Sequence, residues 1–345
     1  MVSSNDPTDS KPNPLPITLL EMIKGYQLSQ CIYIAAKLGI ADLLEEGERH
    51  SDALAAATNT NKDAIYRLLR ALASVGIFAE TQPRYFQLTP LATYLQSDVP
   101  NSLKANAIML GEEIYQAWGN LTHGIETGEN AFYNLYGMNF YEFLARNPAK
   151  AKTFDRAMTD LSGVVNASVL AAYDFSSISK LVDVGGGKGR LLCSILQAYP
   201  TMTGVLFDRP DAIDTISDLP RTAGLSDRLK LAKGDFFKTI PPGGDAYLLK
   251  HIVHNWSDER AIAILQNCYR SMGEGGLLLA IEIIIPPGNE PCTGKFLDLS
   301  MLAICPGGRE RTETEYRDLL KAAGFKLTKI VPTESELSVI EALKN

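Results

Sequence analysis

The sequence predicts an α/β protein: a Rossmann-like, seven-stranded, doubly wound domain preceded by a mostly helical, winged-helix-like region. Three observations carry this expectation. Residues 180–200, KLVDVGGGKGRLLCSILQAYP, read as a buried strand, a glycine-rich turn and an amphipathic helix. Beyond Leu181 short apolar runs alternate with stretches of helical periodicity up to the end of the chain. Between Ser51 and Asp98 two short helical segments lead into an arm, the pattern of a helix-turn-helix with a wing.

The chain has 345 residues, enough for two domains, and 46% apolar with 21% charged residues is an ordinary globular composition. A net charge of −7 argues against a molecule-wide surface for nucleic acid or anionic membrane. Five scattered cysteines without a C-x-x-C pair fit a reducing, cytoplasmic setting and no structural zinc. The apolar run from Leu277 to Ile285 is too short to span a membrane and contains Glu282.

Taken in order, residues 1–16 are polar and proline-rich, without the basic and apolar regions of a signal peptide, and are expected to be a disordered tail. Residues 17–100 form the winged-helix-like region. From Ile17 to Leu44 apolar residues recur at spacings of three and four on a face wide enough to call for a partner subunit, so a homodimer is expected. The helices SDALAAAT and NTNKDAIYRLLRALASVGIF follow, then a hairpin-like arm, YFQLTPLATYL. DNA binding is disfavoured by charge: Lys62, Arg67, Arg70 and Arg84 are balanced by Asp52, Asp63, Glu80 and Asp98, which leaves no basic face for phosphates.

Residues 101–177 read as a helical linker rich in aromatic side chains, a place for a substrate pocket. Phe154 and Met158, one helical turn apart, are its candidate walls. Residues 178–345 supply strands at 181–184, 204–207, 229–232, 246–250, 277–283, 327–331 and 338–342, with helices at 189–198, 210–217, 258–271 and 312–323. Ligands bind such sheets at the carboxyl ends of the parallel strands.

Spacing narrows the ligand at the first of these ends. A dinucleotide fingerprint starting at Gly185 would need a small residue where Arg190 stands, and a P-loop would need Ser or Thr where Gly189 follows Lys188. What remains is an acid-flanked loop, Asp183-x-Gly185-x-Gly187-x-Gly189, with Asp208 at the end of the next strand to take two ribose hydroxyls. Acidic flanks disfavour pyrophosphate and suit a ligand with a cationic amino-acid end, as S-adenosylmethionine has. Asp235 beside Phe236 suits an adenine, whose amine donates while its ring stacks.

The strand ending at Lys250 runs into HIVHNWSDER, and Glu282 interrupts an otherwise apolar strand. A buried carboxylate is costly unless paired. Glu310 precedes a helix capped by Thr312. His254 with Glu282 and Glu310 is the candidate catalytic set, because a histidine accepts protons near neutral pH and a carboxylate on its far nitrogen fixes the tautomer. His251 is expected to be structural, and no metal site is expected, since no cluster has ligand spacing.

LVDVGGGKGRLL, GVLFDRPDAI, KGDFF, KHIVHNWSDE, AIEIIIP and PGGRERT together resemble the plant caffeate/flavonoid-type O-methyltransferases and their bacterial and fungal relatives, over a match from about Leu20 to the end. The resemblance implies a methyltransferase domain holding S-adenosylmethionine at Gly185, Asp208, Asp235, Phe236 and Lys250, with Trp256 near the adenine. It makes His254 the general base oriented by Glu282 and Glu310, and the winged-helix region a dimerisation domain. Asn255 stands where plant members usually have aspartate, and Cys305-Pro306 where they often have an asparagine before the glycines. An acceptor other than a plant phenylpropanoid is therefore expected, with Phe154, Met158, Asn255, Met301 and Cys305 as candidate contacts.

The resulting expectation is an S-adenosylmethionine-dependent O-methyltransferase acting on a small phenolic or enolic ring metabolite. Two alternatives remain at this level. One is a same-fold enzyme that binds the cofactor without methyl transfer, as a decarboxylase, hydroxylase or cyclase. The other is a winged-helix DNA-binding regulator.

Overall fold

The computed structural model describes residues 14–344, so residues 1–13 of the expected tail lie outside them. Leu15 and Pro16 already belong to a helix. The chain divides into two compact units, one ending at Glu112 and one beginning at Glu113. That boundary falls within the stretch expected as a single 101–177 segment.

In the first unit the long helical stretch is broken into Leu15–Ile23, Gly25–Lys37 and Ile40–Leu43. The second break is at Gly39, whose φ of +68° lies in the left-handed region that glycine adopts without strain. Helices Ser51–Thr58 and Lys62–Ala73 follow, the latter capped by Asn61, whose side chain accepts from the N–H groups of Asp63 and Ala64. Strands β1 (Arg49–His50), β2 (Phe78–Gln82) and β3 (Tyr85–Leu88) form a small sheet in the order β1-β3-β2. The expected arm is thus half strand: residues 92–95 make a 3-10 turn instead. Ile40, Leu54, Leu69, Leu72, Phe78 and Phe86 close the core of this unit. The first helix buries none of its residues, and Leu15, Met22 and Ile23 are 85%, 72% and 61% exposed.

The second unit is built on seven strands, β4 (Lys180–Val184), β5 (Thr203–Asp208), β6 (Leu229–Lys233), β7 (Ala246–Lys250), β8 (Leu277–Ile283), β9 (Phe325–Pro332) and β10 (Leu337–Lys344). Their order is β6-β5-β4-β7-β8-β10-β9, with β10 antiparallel to both β8 and β9. A tight connection between β9 and β10 allows only an antiparallel pair, whereas the parallel strands are joined through helices. Side chains alternate between faces. Val182, Val184, Tyr247 and Leu249 join one apolar cluster, and Leu181, Leu248, Leu279 and Ile281 join the other.

Two helical expectations change. The helix expected at 210–217 ends at Asp214, and a further turn occupies Leu219–Thr222. A helix at Thr293–Ile304 was not anticipated. Leu297, Met301 and Ile304 have helical spacing and Pro306 marks a stop, but the surrounding glycines and prolines hid the signal.

Candidate active site

Strand order decides what meets at the carboxyl rim. Because β4 lies between β5 and β7, the glycine turn after β4 sits beside both Asp208 and the segment leaving β7. Gly185 has φ +73°, and a Cβ there would stand 2.5 Å from Ile252 Cδ1, so only glycine lets that segment close over the turn. Gly187 is the opposite case. Its φ is +57° but nothing lies within 4 Å of where a Cβ would be, which leaves open space above the backbone. Its N–H donates to Asp208 Oδ2 at 2.8 Å, while Oδ1 accepts from Arg209 N–H at 2.7 Å.

Asp183, inside β4, is buried. Desolvation, reinforced by the Asp208 charge and opposed by Lys250, pushes its pKa up to about 7. Lys250 ends β7 and donates to Asn166 Oδ1 at 2.8 Å, while burial lowers its pKa. Asp235 accepts from Phe237 N–H at 2.9 Å, and Asn267 holds the Phe236 carbonyl at 2.7 Å. Phe236, Phe237 and Trp256 pack edge to face, and the Arg260 guanidinium lies 4.5 Å from the Trp256 ring centre. An open glycine cradle, an acid at the β5 end and an aromatic wall fit a ligand with ribose, adenine and a cationic amino-acid end.

The second half of the rim carries His254, which is buried on a 3-10 turn, Val253–Asn255. Its Nδ1 lies 2.6 Å from Glu310 Oε1 and 3.7 Å from Glu282 Oε2. Burial of the ring would depress its pKa. The Glu282 charge and the Glu310 hydrogen bond outweigh that and leave it raised. Nε2 makes no hydrogen bond among the described residues, so it is the nitrogen left to meet a substrate proton.

The two carboxylates expected as orienting partners make different contacts. Glu282 is fully buried on β8, and its Oε1 accepts the N–H groups of Ile252 and Val253 at 3.0 and 2.8 Å. It holds the backbone that carries His254, whereas Glu310 holds the ring. Desolvation pushes the Glu282 pKa up to about 7. Glu310 is fixed in turn by its own N–H, which donates to Asp298 Oδ1 at 2.9 Å on the unanticipated helix.

Sequence reasoning missed Arg311, Asp298, Asn166 and Tyr141. Arg311 is 1% exposed, and its guanidinium donates to Asp258 Oδ1 at 2.7 Å and to the carbonyls of Val253 and Trp256 at 3.2 and 2.9 Å. It clamps the whole 253–258 turn, and an arginine inside PGGRERT was the only signal available. Tyr141 donates to Asn255 Oδ1 at 3.4 Å, and Cys305 Sγ lies 3.6 Å from the same oxygen. Burial pushes the Cys305 thiol up to about 12, which keeps it protonated as a donor. Phe154 packs on Tyr141 with ring centres 6.4 Å apart, so these four residues form one contiguous wall. Met301 is buried one turn before Cys305, and Met158, a turn beyond Phe154, is 42% exposed.

A histidine with a carboxylate on one nitrogen and no hydrogen bond on the other among the described residues, at the same rim as the open glycine turn, is equipped to take a proton. The family model for an O-methyltransferase domain matches residues 118–326, and that for an O-methyltransferase dimerisation domain matches residues 20–98. The phenazine O-methyltransferase PhzM of Lysobacter antibioticus is 43% identical over 95% of this chain and 96% of its own. The chain belongs to the O-methyltransferase family. Its cofactor is S-adenosylmethionine. The crystal structure of LaPhzM superposes with a TM-score of 0.92 at 42% identity, covering 96% of this O-methyltransferase and 100% of that chain. The O-methyltransferase NcsB1 from neocarzinostatin biosynthesis, solved with S-adenosylmethionine and 2-hydroxy-5-methyl naphthoic acid, gives 0.81 at 30% identity over 92% of this chain and 96% of its own. No helix among the described residues of the O-methyltransferase is long and apolar enough to cross a membrane.

Proposed function

We propose that this O-methyltransferase methylates a ring hydroxyl of a fused aromatic metabolite of the phenazine class, with His254 as general base. The observation that carries the base role is the 2.6 Å contact between His254 Nδ1 and Glu310 Oε1. It keeps the ring's resting proton on Nδ1, leaves the Nε2 lone pair for the acceptor hydroxyl, and stabilises the imidazolium that results. Glu282 and Arg311 hold the turn, so the imidazole needs no reorganisation as the proton arrives.

When bound, S-adenosylmethionine supplies the electrophilic methyl group. Gly185, Asp208, Asp235, Phe236, Lys250 and Trp256 would hold it: Asp208 as acceptor for ribose hydroxyls, Phe236 and Trp256 as aromatic faces for adenine. Phe154, Met158, Tyr141, Asn255, Met301 and Cys305 would meet the acceptor. The phenazine assignment is supported by the 43% identical relative and by the aromatic side chains of Phe154 and Tyr141 beside Asn255.

The unburied first helix and the matched dimerisation domain support a homodimer. The charge balance between Ser51 and Asp98 supports a protein rather than a DNA partner for that unit. Five free cysteines support a reducing, cytoplasmic setting.

The test is a product assay. The enzyme is given S-adenosylmethionine with a hydroxyphenazine, a hydroxynaphthoate or a catechol, and S-adenosylhomocysteine and the methyl ether are followed. A kcat/KM for the hydroxyphenazine at least about tenfold above the others supports the reading. Preference for the catechol overturns the acceptor class, and absence of methyl ether from every acceptor overturns O-methylation of such rings.

A further inference from the structure

Folding brings a third side chain to the His254–Glu282 pair. His251 Nδ1 lies 4.0 Å and His254 Nδ1 3.7 Å from Glu282 Oε2, and one ligand atom from each of the three side chains falls within 4.8 Å of the others. Spacing in the sequence concealed this, because the carboxylate comes from the neighbouring strand. The β7–β8 register pairs Lys250 with Ile281, so the residue after each, His251 and Glu282, emerges at the same rim.

We propose that His251 Nδ1, His254 Nδ1 and Glu282 Oε2 form a binding site for a divalent cation of the zinc type, and that its occupancy switches methyl transfer off.

Two observations besides the clustering point to a ligand. His251 Nδ1 and Glu282 Oε2 are both buried without a hydrogen-bond partner. An unsatisfied buried polar atom is destabilising, and a cation between the two would satisfy both. His251 also holds a left-handed backbone, φ +54°, which is uncommon for a residue with a Cβ. The conformation is pinned by Asn255 Nδ2, which donates to the His251 carbonyl at 2.8 Å, and by His251 N–H, which donates to Ile281 at 3.2 Å. The two imidazoles lie with centres 5.1 Å apart and planes only 31° from parallel.

The distances suit the ion. Zinc held at about 2.0–2.1 Å by tetrahedral ligands places those ligands about 3.3 Å apart. The two histidine–carboxylate edges of 3.7 and 4.0 Å therefore need to close by less than an ångström, and the histidine–histidine edge, at most 4.8 Å, by up to about 1.5 Å. Two imidazoles and a carboxylate are a borderline donor set that suits Zn²⁺ or Co²⁺ and not Mg²⁺ or Ca²⁺. The His251 side chain is 38% exposed, which gives the ion a way in.

Binding and catalysis exclude each other. The ion takes the place of the proton that His254 Nδ1 shares with Glu310, and that proton leaves to solvent. A neutral imidazole coordinated through Nδ1 carries its one remaining proton on Nε2, so it has no lone pair for the acceptor hydroxyl. This half of the inference rests on His254 being the general base; the binding half does not.

The test uses the tag-free full-length chain and two readouts. Co²⁺ titration of the wild type should give the visible bands of low-coordinate cobalt at one ion per chain, without the near-ultraviolet band of thiolate ligation. The variant His251→Asn removes a ligand while keeping a residue that tolerates positive φ. It should retain basal activity and require at least about tenfold more Co²⁺ for the same absorbance. In assays, Zn²⁺ should inhibit the wild type reversibly on chelation, with His251→Asn at least about tenfold less sensitive. Equal uptake by both proteins, or a thiolate band, overturns the site. Cobalt bound with the expected spectrum but without inhibition overturns the base role of His254 and leaves the site standing.

Discussion

Glu310 Oε1 sits 2.6 Å from His254 Nδ1 although 56 residues separate them, while Glu282, the nearer carboxylate in sequence, reaches that nitrogen only at 3.7 Å. Glu282 instead holds two backbone N–H groups.

This geometry ranks the two carboxylates. His254→Ala should lower kcat by about 10²–10⁴-fold with cofactor Kd unchanged. Glu310→Gln should lower kcat more than Glu282→Gln, because it removes the carboxylate hydrogen-bonded to the ring at 2.6 Å, whereas Glu282→Gln removes a charge 3.7 Å away and keeps an oxygen for the Ile252 and Val253 N–H groups. Single-turnover rates of the three variants give the ranking. The reverse order for the two glutamine variants would make the Glu282 charge matter more to the ring than the Glu310 hydrogen bond.

Asp208 already accepts from Gly187 and Arg209 N–H groups, so its carboxylate is held in place before any ligand arrives. Loss of a charged acceptor costs about 1.5–3 kcal/mol. Asp208→Ala should therefore weaken cofactor binding by roughly ten- to a hundredfold in calorimetry. Unaltered affinity would remove Asp208 from the site.

Asp183 gives the apoprotein a pH dependence of defined sign. Its folded pKa of about 7 is above the ordinary 3.8, so between those values the native state binds the proton more tightly than the unfolded chain. Stability from this residue is full below about 3.8, falls as pH rises through the window and is flat above 7, with a slope of up to about 1.4 kcal/mol per pH unit. Denaturant unfolding between pH 5 and 8 should show wild type losing stability relative to Asp183→Asn. Parallel curves would show that the carboxyl is ionised throughout.

Arg311 is buried against an aspartate and two carbonyls of the His254 turn. Arg311→Met should destabilise the fold by about 1–3 kcal/mol, since the Val253 and Trp256 carbonyls lose their donor while the half-exposed Asp258 can turn to water. Thermal unfolding measures this, and a Tm within a degree of wild type would mean that the clamp is dispensable.

Much of this architecture was legible in the chain. Short continuous apolar runs placed the seven strands of the second unit and period-3.6 patterns most of its helices, because a strand covered by helices on both sides is apolar on both faces. The glycines and acids of residues 183–189, with Asp208, pointed to the cofactor, since steric and charge demands at a strand–turn–helix junction are local. The missed helix at Thr293–Ile304 lay between proline- and glycine-rich stretches whose local signal favours loops.

Which residue types stand at which strand ends can be read along the chain: His254 after β7, Glu282 within β8 and Glu310 before a capped helix. What each one touches follows from the folded arrangement alone. Strand order and register bring residues 28–56 positions apart to one rim, and burial gives each contact its strength by excluding water. That assembly gave Glu310 the ring, Glu282 the backbone and His251 a place beside His254 and Glu282, where periodicity read along one strand carries no information about its neighbour.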